Sequence, residues 1–243
     1  VAVMKRRAVF LDKDGTLIED VPYNVKPELI RLTPGAQEGL RLLHRAGYLL
    51  IVISNQSGVA RGYFPETALA AVECRLQELL AEFDVPLSGF YYCPHLPEGS
   101  VAEYAIDCEC RKPAPGLVLQ AARDFEIDMG QSWFIGDILN DMEAGHRAGC
   151  RTVLLDNGNE TEWQLSDLRR PDYVVDNLYE AARQIVLKDE SRRMKDEIGQ
   201  DESRRMKDET NSSLKHSEIG NNPKIHPSTF ILHPSEVGSV YDG

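Results

Sequence analysis

Asp12 and Asp14 stand one residue apart at the end of the apolar run Ala8, Val9, Phe10, Leu11, and Gly15 and Thr16 follow them. In an extended chain alternate residues face the same way, so both carboxylates can project toward one site while Gly15 permits a sharp backbone exit. A pair placed like this suits phosphoryl transfer. One carboxylate attacks phosphorus as a nucleophile, and the other gives a proton to the leaving group and later takes one from water. The same residues also read as a buried strand closed by an Asp/Gly turn, so the positions of the other polar residues decide the matter.

A second apolar run, residues 48–53, ends in Ser54, Asn55, Gln56, Ser57 and Gly58, a set of hydroxyl and amide groups suited to phosphate oxygens. A third, residues 132–135, ends in Gly136 and Asp137, with Asn140 and Asp141 at the start of an expected helix. In open parallel sheets ligands sit beyond the carboxyl ends of the strands, which predicts that these strand ends converge on one crevice. Lys112, between Arg111 and Pro113, adds a cation that the other segments lack.

A separate constellation is Cys93, Pro94, His95 followed, after twelve residues, by Cys108, Glu109, Cys110. Three thiolates and one imidazole make a closed tetrahedral shell for a structural zinc, with no position left for water. The intervening residues 96–107 contain Pro97, Gly99 and several polar groups and lack the apolar periodicity needed to order by packing. A metal would order them instead. Cys74 and Cys150 are left as reduced thiols, consistent with a reducing compartment.

The elements that must position these groups are legible as alternating patterns. Helices are expected over residues 34–46, 65–83, 115–126, 140–148 and 177–187, and further strands over residues 90–92, 132–135, 151–155 and 173–175. In the second helix Leu69, Val72, Leu76, Leu79 and Phe83 share the expected core face. Alternation of this kind predicts an α/β fold with a doubly wound parallel sheet. A domain of residues 1–188 holds one hydrophobic core and leaves no room for a large cap domain, so small insertions must close the site.

The order DxDGT, SN, K, GDxxxD resembles the haloacid dehalogenase superfamily of phosphohydrolases, which has a Rossmann-like sheet. The resemblance implies Asp12 as the nucleophile that becomes an aspartyl-phosphate, Asp14 as general acid/base, and Ser54 and Lys112 as holders of the phosphoryl oxygens. It implies a magnesium ion on the Asp12 carboxylate, the Asp14 backbone carbonyl and Asp137. The segments around Tyr91 to His95, Cys108 to Pro113 and Asn55 to Gly62 are similar to the D-glycero-D-manno-heptose 1,7-bisphosphate 7-phosphatases and their histidinol-phosphatase relatives, over about residues 7–186. That likeness implies a sugar pocket lined by Asp20, Val21, Pro22 and Tyr23, with Ser54, Asn55, Gln56, Ser57, Arg111 and Lys112 also on the substrate. A bisphosphate leaves one phosphate unreacted, and Arg111 and Arg61 are candidate cations for it. One departure stands out: where the family usually has a basic residue after GD, this chain has Ile138. Histidinol phosphate is the alternative substrate, and a non-catalytic scaffold on the same fold the alternative function.

With 27 basic and 39 acidic residues the formal charge is −12, and no basic stripe is present. That argues against a nucleic-acid partner, whose backbone demands clustered Lys and Arg. The expected partner is a small phosphorylated sugar bound by a monomer. Without a long apolar span or a secretory leader, the expected location is the cytoplasm, away from membranes.

From residue 189 the chain changes character. The nine residues 189–197 recur unchanged at 201–209, and His-Pro-Ser recurs at 226 and 233. Low apolar content and dense charge predict a disordered tail over residues 189–243 with transient helix in the repeats. If residues 193–197 are encoded NGG-ATG-AAG-GAT-GAA, the reverse complement reads Phe-Ile-Leu-His-Pro, the sequence of residues 230–234. The tail is then expected to be a translated inverted repeat appended to the enzyme, dispensable for catalysis.

Overall fold

Six parallel strands form one sheet in the order β3-β2-β1-β4-β5-β6 in the computed structural model, which describes residues 5–217. The strands are β1 Ala8–Leu11, β2 Leu49–Asn55, β3 Gly89–Cys93, β4 Trp133–Gly136, β5 Arg151–Leu155 and β6 Tyr173–Val175. The helices are α1 Ala36–Arg45, α2 Leu69–Ala81, α3 Gly116–Asp124, α4 Leu139–Ala148 and α5 Leu178–Ser217. Chain direction across the sheet reverses beside β1: β2 lies on one side of it and β4 on the other. This is the switch point at which doubly wound sheets open a crevice.

The expected doubly wound α/β architecture is present, and the reason is visible in the strands. All four residues of β1 are buried. Val9 and Leu11 pack on one face with α1 (Leu40, Leu43), α2 (Val72, Leu76, Leu80) and the start of α5 (Leu178, Ala181, Ile185). Ala8 and Phe10 pack on the other with Leu117, Val118 and Ala121 of α3 and Ala144 and Ala148 of α4. A strand covered on both faces needs a continuous apolar run, which is what 8–11 supplies. Each fully buried Leu, Ile or Phe contributes on the order of 2 kcal/mol relative to exposure.

Two expectations on the helices need correction. In α2 the deeply buried residue is Leu80, at 0 % exposure, while Leu79 packs at the margin of the core. The helix expected to stop at 187 continues to Ser217, through the two copies of the repeat in which transient helix is expected. Glu, Arg, Lys and Met are good helix formers, and opposite charges three and four residues apart support the continued turns. Two units are distinguished, Val1–Arg192 and Arg193–Gly243. The Phe-Ile-Leu-His-Pro segment at 230–234 lies outside the described residues.

Candidate active site

Asp12 follows β1 directly, and its backbone N–H donates to Ile135 O at 2.9 Å, so the nucleophile candidate is held against the end of β4. Asp137 and Asp141 follow β4 at the start of α4, and carboxylate oxygens of Asp12, Asp137 and Asp141 all lie within 4.8 Å of one another. Lys112 Nζ donates to Asp12 Oδ1 and to Ile53 O at 3.1 Å, and sits 2.6 Å from Asp141 Oδ1. One ammonium therefore holds two buried carboxylates.

Local sequence makes this possible. Gly15 has φ +78°, and a Cβ there would lie 2.1 Å from Asp137 Oδ2, so only glycine lets the turn after Asp14 pass this close to the β4 loop. At Gly136 a Cβ would meet the Asp141 side chain at 2.3 Å. Asp141 turns back on its own helix start: its Oδ2 accepts from Ile138 N at 3.3 Å while its N–H donates to Ile138 O at 3.1 Å. Ile138 is the residue before α4, and its side chain supplies no charge there.

Electrostatics follow from crowding. Burial pushes the Asp12 carboxyl well above its ordinary range; Lys112 pulls it back, and Asp141, Asp137 and Asp14 push it up again. Asp137 is held up to about 6 by burial and by Asp141, against a hydrogen bond from Asn159 and the charge of Lys112. Burial opposes the charge of Lys112, but Asp12 and Asp141 outweigh it and shift the ammonium upward.

Asp14 is close enough for its charge to act on Asp12. Its carboxylate accepts from Lys13 Nζ at 2.6 Å and from Gln56 Nε2 at 3.2 Å, and it lines a cavity of about 250 Å³ together with Asp20, Pro22, Tyr23, Asn55, Gln56 and Ser57. Val21, expected in that lining, is 37 % exposed and stands outside it. Ser54 is buried, and its Oγ accepts from Gln56 Nε2 at 2.7 Å. Tyr23, at φ +56°, packs edge-on against Tyr63 with ring centroids 4.7 Å apart, joining the loop after β1 to the loop after β2.

A second cavity, of about 590 Å³, opens on the other side of Lys112 and is lined by Arg111, Lys112, Cys108, Glu98 and Arg147 among others. Arg111 also donates to His95 O at 3.3 Å. Arg61 is exposed and lines neither cavity. The loop between β3 and α3 brings Cys93, His95, Cys108 and Cys110 together: Cys93 Sγ is 3.5 Å from Cys108 Sγ, and His95 Nδ1 is 3.2 Å from Cys110 Sγ. These four can hold a metal ion.

A family model for HAD-hydrolase-like proteins matches residues 109–181. The D-glycero-beta-D-manno-heptose-1,7-bisphosphate 7-phosphatase of Haemophilus influenzae is 40 % identical over 178 residues, covering 73 % of this chain and 95 % of the relative. The protein of the same name from Escherichia coli K12 is 40 % identical over 170 residues, covering 66 % and 89 %. This chain belongs to that phosphatase family. Of solved structures, the D,D-heptose 1,7-bisphosphate phosphatase of B. bronchiseptica, complexed with magnesium and phosphate, superimposes with a TM-score of 0.64 at 29 % identity, over 75 % of this chain and 99 % of that one.

As a heptose-bisphosphate phosphatase family member the chain is an enzyme of the HAD type, and its oxygen-only carboxylate cluster can be tested for magnesium. Asp141 Oδ1 is buried, with Lys112 Nζ, 2.6 Å away, as its partner among the described residues. An acceptor lone pair left over beside two further carboxylates suits a hard cation. Sequence reasoning placed Asp12 and Asp137 here but missed Asp141 as a possible ligand, although the spacing of four from Asp137 at a helix start was a usable signal. It also missed Lys13, which is 1 % exposed, and Asn159, whose Nδ2 donates to Asp137 Oδ2 at 2.7 Å. No local pattern announces Asn159.

Among the described residues no helix is long and apolar enough to cross a membrane.

Proposed function

We propose that the protein is a magnesium-dependent phosphatase that removes the 7-phosphate of D-glycero-β-D-manno-heptose 1,7-bisphosphate. The observation carrying this reading is the placement of Asp12, Lys112, Asp137 and Asp141 in one buried cluster beside a cavity that Asp14 lines, in a chain that spans 95 % of a relative bearing that name. Magnesium, when bound, neutralises charge on the transferring phosphoryl oxygens. Asp12, Asp137 and Asp141 would hold it.

Asp12 attacks phosphorus in line, forming an Oδ–P bond as the bond from phosphorus to the sugar oxygen breaks. Asp14 gives its proton to that oxygen, so the heptose leaves as the alcohol. Water then attacks the aspartyl-phosphate, Asp14 takes a proton from it, and Asp12 is regenerated with release of phosphate. Lys112 favours the ionised form of Asp12 against the effect of burial and faces the phosphoryl oxygens during transfer. Lys13 and Gln56 orient Asp14 from either side. Arg111, which lines the second cavity, would bind the phosphate that is not cleaved.

The Cys93, His95, Cys108, Cys110 shell would hold zinc and so order the loop that ends in Arg111 and Lys112. The test is phosphate release, with magnesium, from both heptose anomers and from histidinol phosphate, with Asp12→Asn as blank. Fastest release from the β anomer is expected. Preference for histidinol phosphate, or release from none, overturns the reading.

A further inference from the structure

The segment Asn157, Gly158, Asn159, Glu160 follows β5 and belongs to none of the motifs that carry the chemistry, yet three of its side chains grip the site. Asn157 Nδ2 donates to Gly15 O at 2.7 Å, fixing the turn that follows Asp14. Glu160 Oε2 accepts from Leu139 N at 2.6 Å, fixing the first turn of α4. Between them Asn159 Nδ2 reaches Asp137 Oδ2 at 2.7 Å, and Asn159 N donates to Asn157 Oδ1 at 3.2 Å, so the two asparagines brace each other. Gly158, at φ +89°, supplies the reversal that aims both inward.

Asp137 also accepts from Thr16 Oγ1, to Oδ1 at 3.4 Å, and takes a backbone hydrogen bond. The bond from Asn159 is the shorter of its two contacts with other side chains. An amide donor has a particular merit here. It occupies one lone pair of the carboxylate and sets the rotamer without cancelling the negative charge, as a lysine or arginine would. The residue next to Asp137 is the uncharged Ile138, so the electrostatic attraction for a cation stays with the carboxylates.

We infer that Asn159 is a positioning residue that sets the affinity of the Asp12, Asp137, Asp141 cluster for magnesium by holding Asp137 in its ligating rotamer. The inference rests on the magnesium-dependent reading of this site. Partners that orient metal ligands are worth about 10- to 100-fold in metal affinity.

The experiment is calorimetric titration of Mg2+ alone into the full-length, zinc-containing protein freed of magnesium, for wild type, Asn159→Ala and Asn159→Gln, with melting temperatures measured alongside. Asn159→Ala is expected to bind Mg2+ about tenfold more weakly at an unchanged melting temperature, and Asn159→Gln, which keeps the donor, to recover part of the loss. Wild-type Mg2+ affinity in Asn159→Ala overturns the assignment. So does weaker binding that comes with a lower melting temperature and is not relieved in Asn159→Gln, since that marks a residue that only holds its loop. Failure of the wild type itself to bind Mg2+ would overturn the magnesium reading and this assignment together, and is recognisable because it precedes any variant.

Discussion

Asn55 and Lys112 hold each other through a reciprocal pair of hydrogen bonds: Asn55 Nδ2 donates to Lys112 O at 3.1 Å, and Lys112 N donates to Asn55 Oδ1 at 3.0 Å. The last residue of β2 thereby fixes the backbone of a residue 57 positions later, and with it the ammonium that touches Asp12. Asn55→Ala should lower kcat by about 10- to 100-fold, because small misplacements of a catalytic group are costly, with zinc content unchanged. Steady-state kinetics with a metal assay check this.

Lys112 is ion-paired with two buried carboxylates, Asp12 and Asp141. Lys112→Met should abolish turnover and also destabilise the fold, by about 3–5 kcal/mol in the metal-free state, the cost of leaving a buried ion pair half made. Added magnesium should restore part of the stability but none of the activity. Urea unfolding with and without Mg2+ measures both effects.

Acidity should act on the magnesium site in a defined direction. Asp137 is raised from 3.8 to about 6 in the folded chain. Over that window the native state keeps a proton that the unfolded chain releases, so metal-free stability falls as pH rises from about 4 to about 6. Mg2+ competes with the same proton, so its affinity should climb over the upper part of that window. Melting curves in magnesium-free buffer and Mg2+ titrations at several pH values test the two signs; a metal-free stability that rises with pH across this window would contradict the account.

Zinc removal should be felt at the active site. Cys110 immediately precedes Arg111 and Lys112, and the loop is also tied to the segment after β2, with Val101 N donating to Ala60 O at 2.9 Å. Cys108→Ser, or a strong zinc chelator, should lower kcat/KM by at least about tenfold, because ligand loss uncouples metal binding from loop order. Circular dichroism should change little, because the loop between β3 and α3 contains no helix or strand of its own.

The boundary of the dispensable tail falls after the anchor at Asp189. Tyr48 OH donates to Asp189 Oδ2 at 2.7 Å, and Arg7 pairs with the same carboxylate. Deleting residues 193–243 should leave kcat/KM within about twofold, because every group assigned to the site lies before residue 193. Stopping at 187 should instead destabilise by about 1–3 kcal/mol through the partners left unmet. The gene sequence over residues 193–197 and 230–234 tests the inverted-repeat origin directly; codons that are not complementary exclude it.

The amino-acid sequence by itself determined the alternation of strands and helices, the site on the carboxyl ends of β1, β2 and β4, and the four residues of the β3 to α3 loop that can hold a metal ion. These are written in local periodicity and short spacings, which need no knowledge of packing. The lengths and faces of some elements were not so local: Leu80 is buried deeper than Leu79, and α5 runs on to Ser217. Only the tertiary structure decided that Asp141 joins Asp12 and Asp137, that Lys112 serves two carboxylates at once, and that Asn159 reaches Asp137. Such contacts depend on where separate loops meet in space, and a hydrogen bond between groups 22 residues apart in sequence leaves no periodic trace in the chain that forms it.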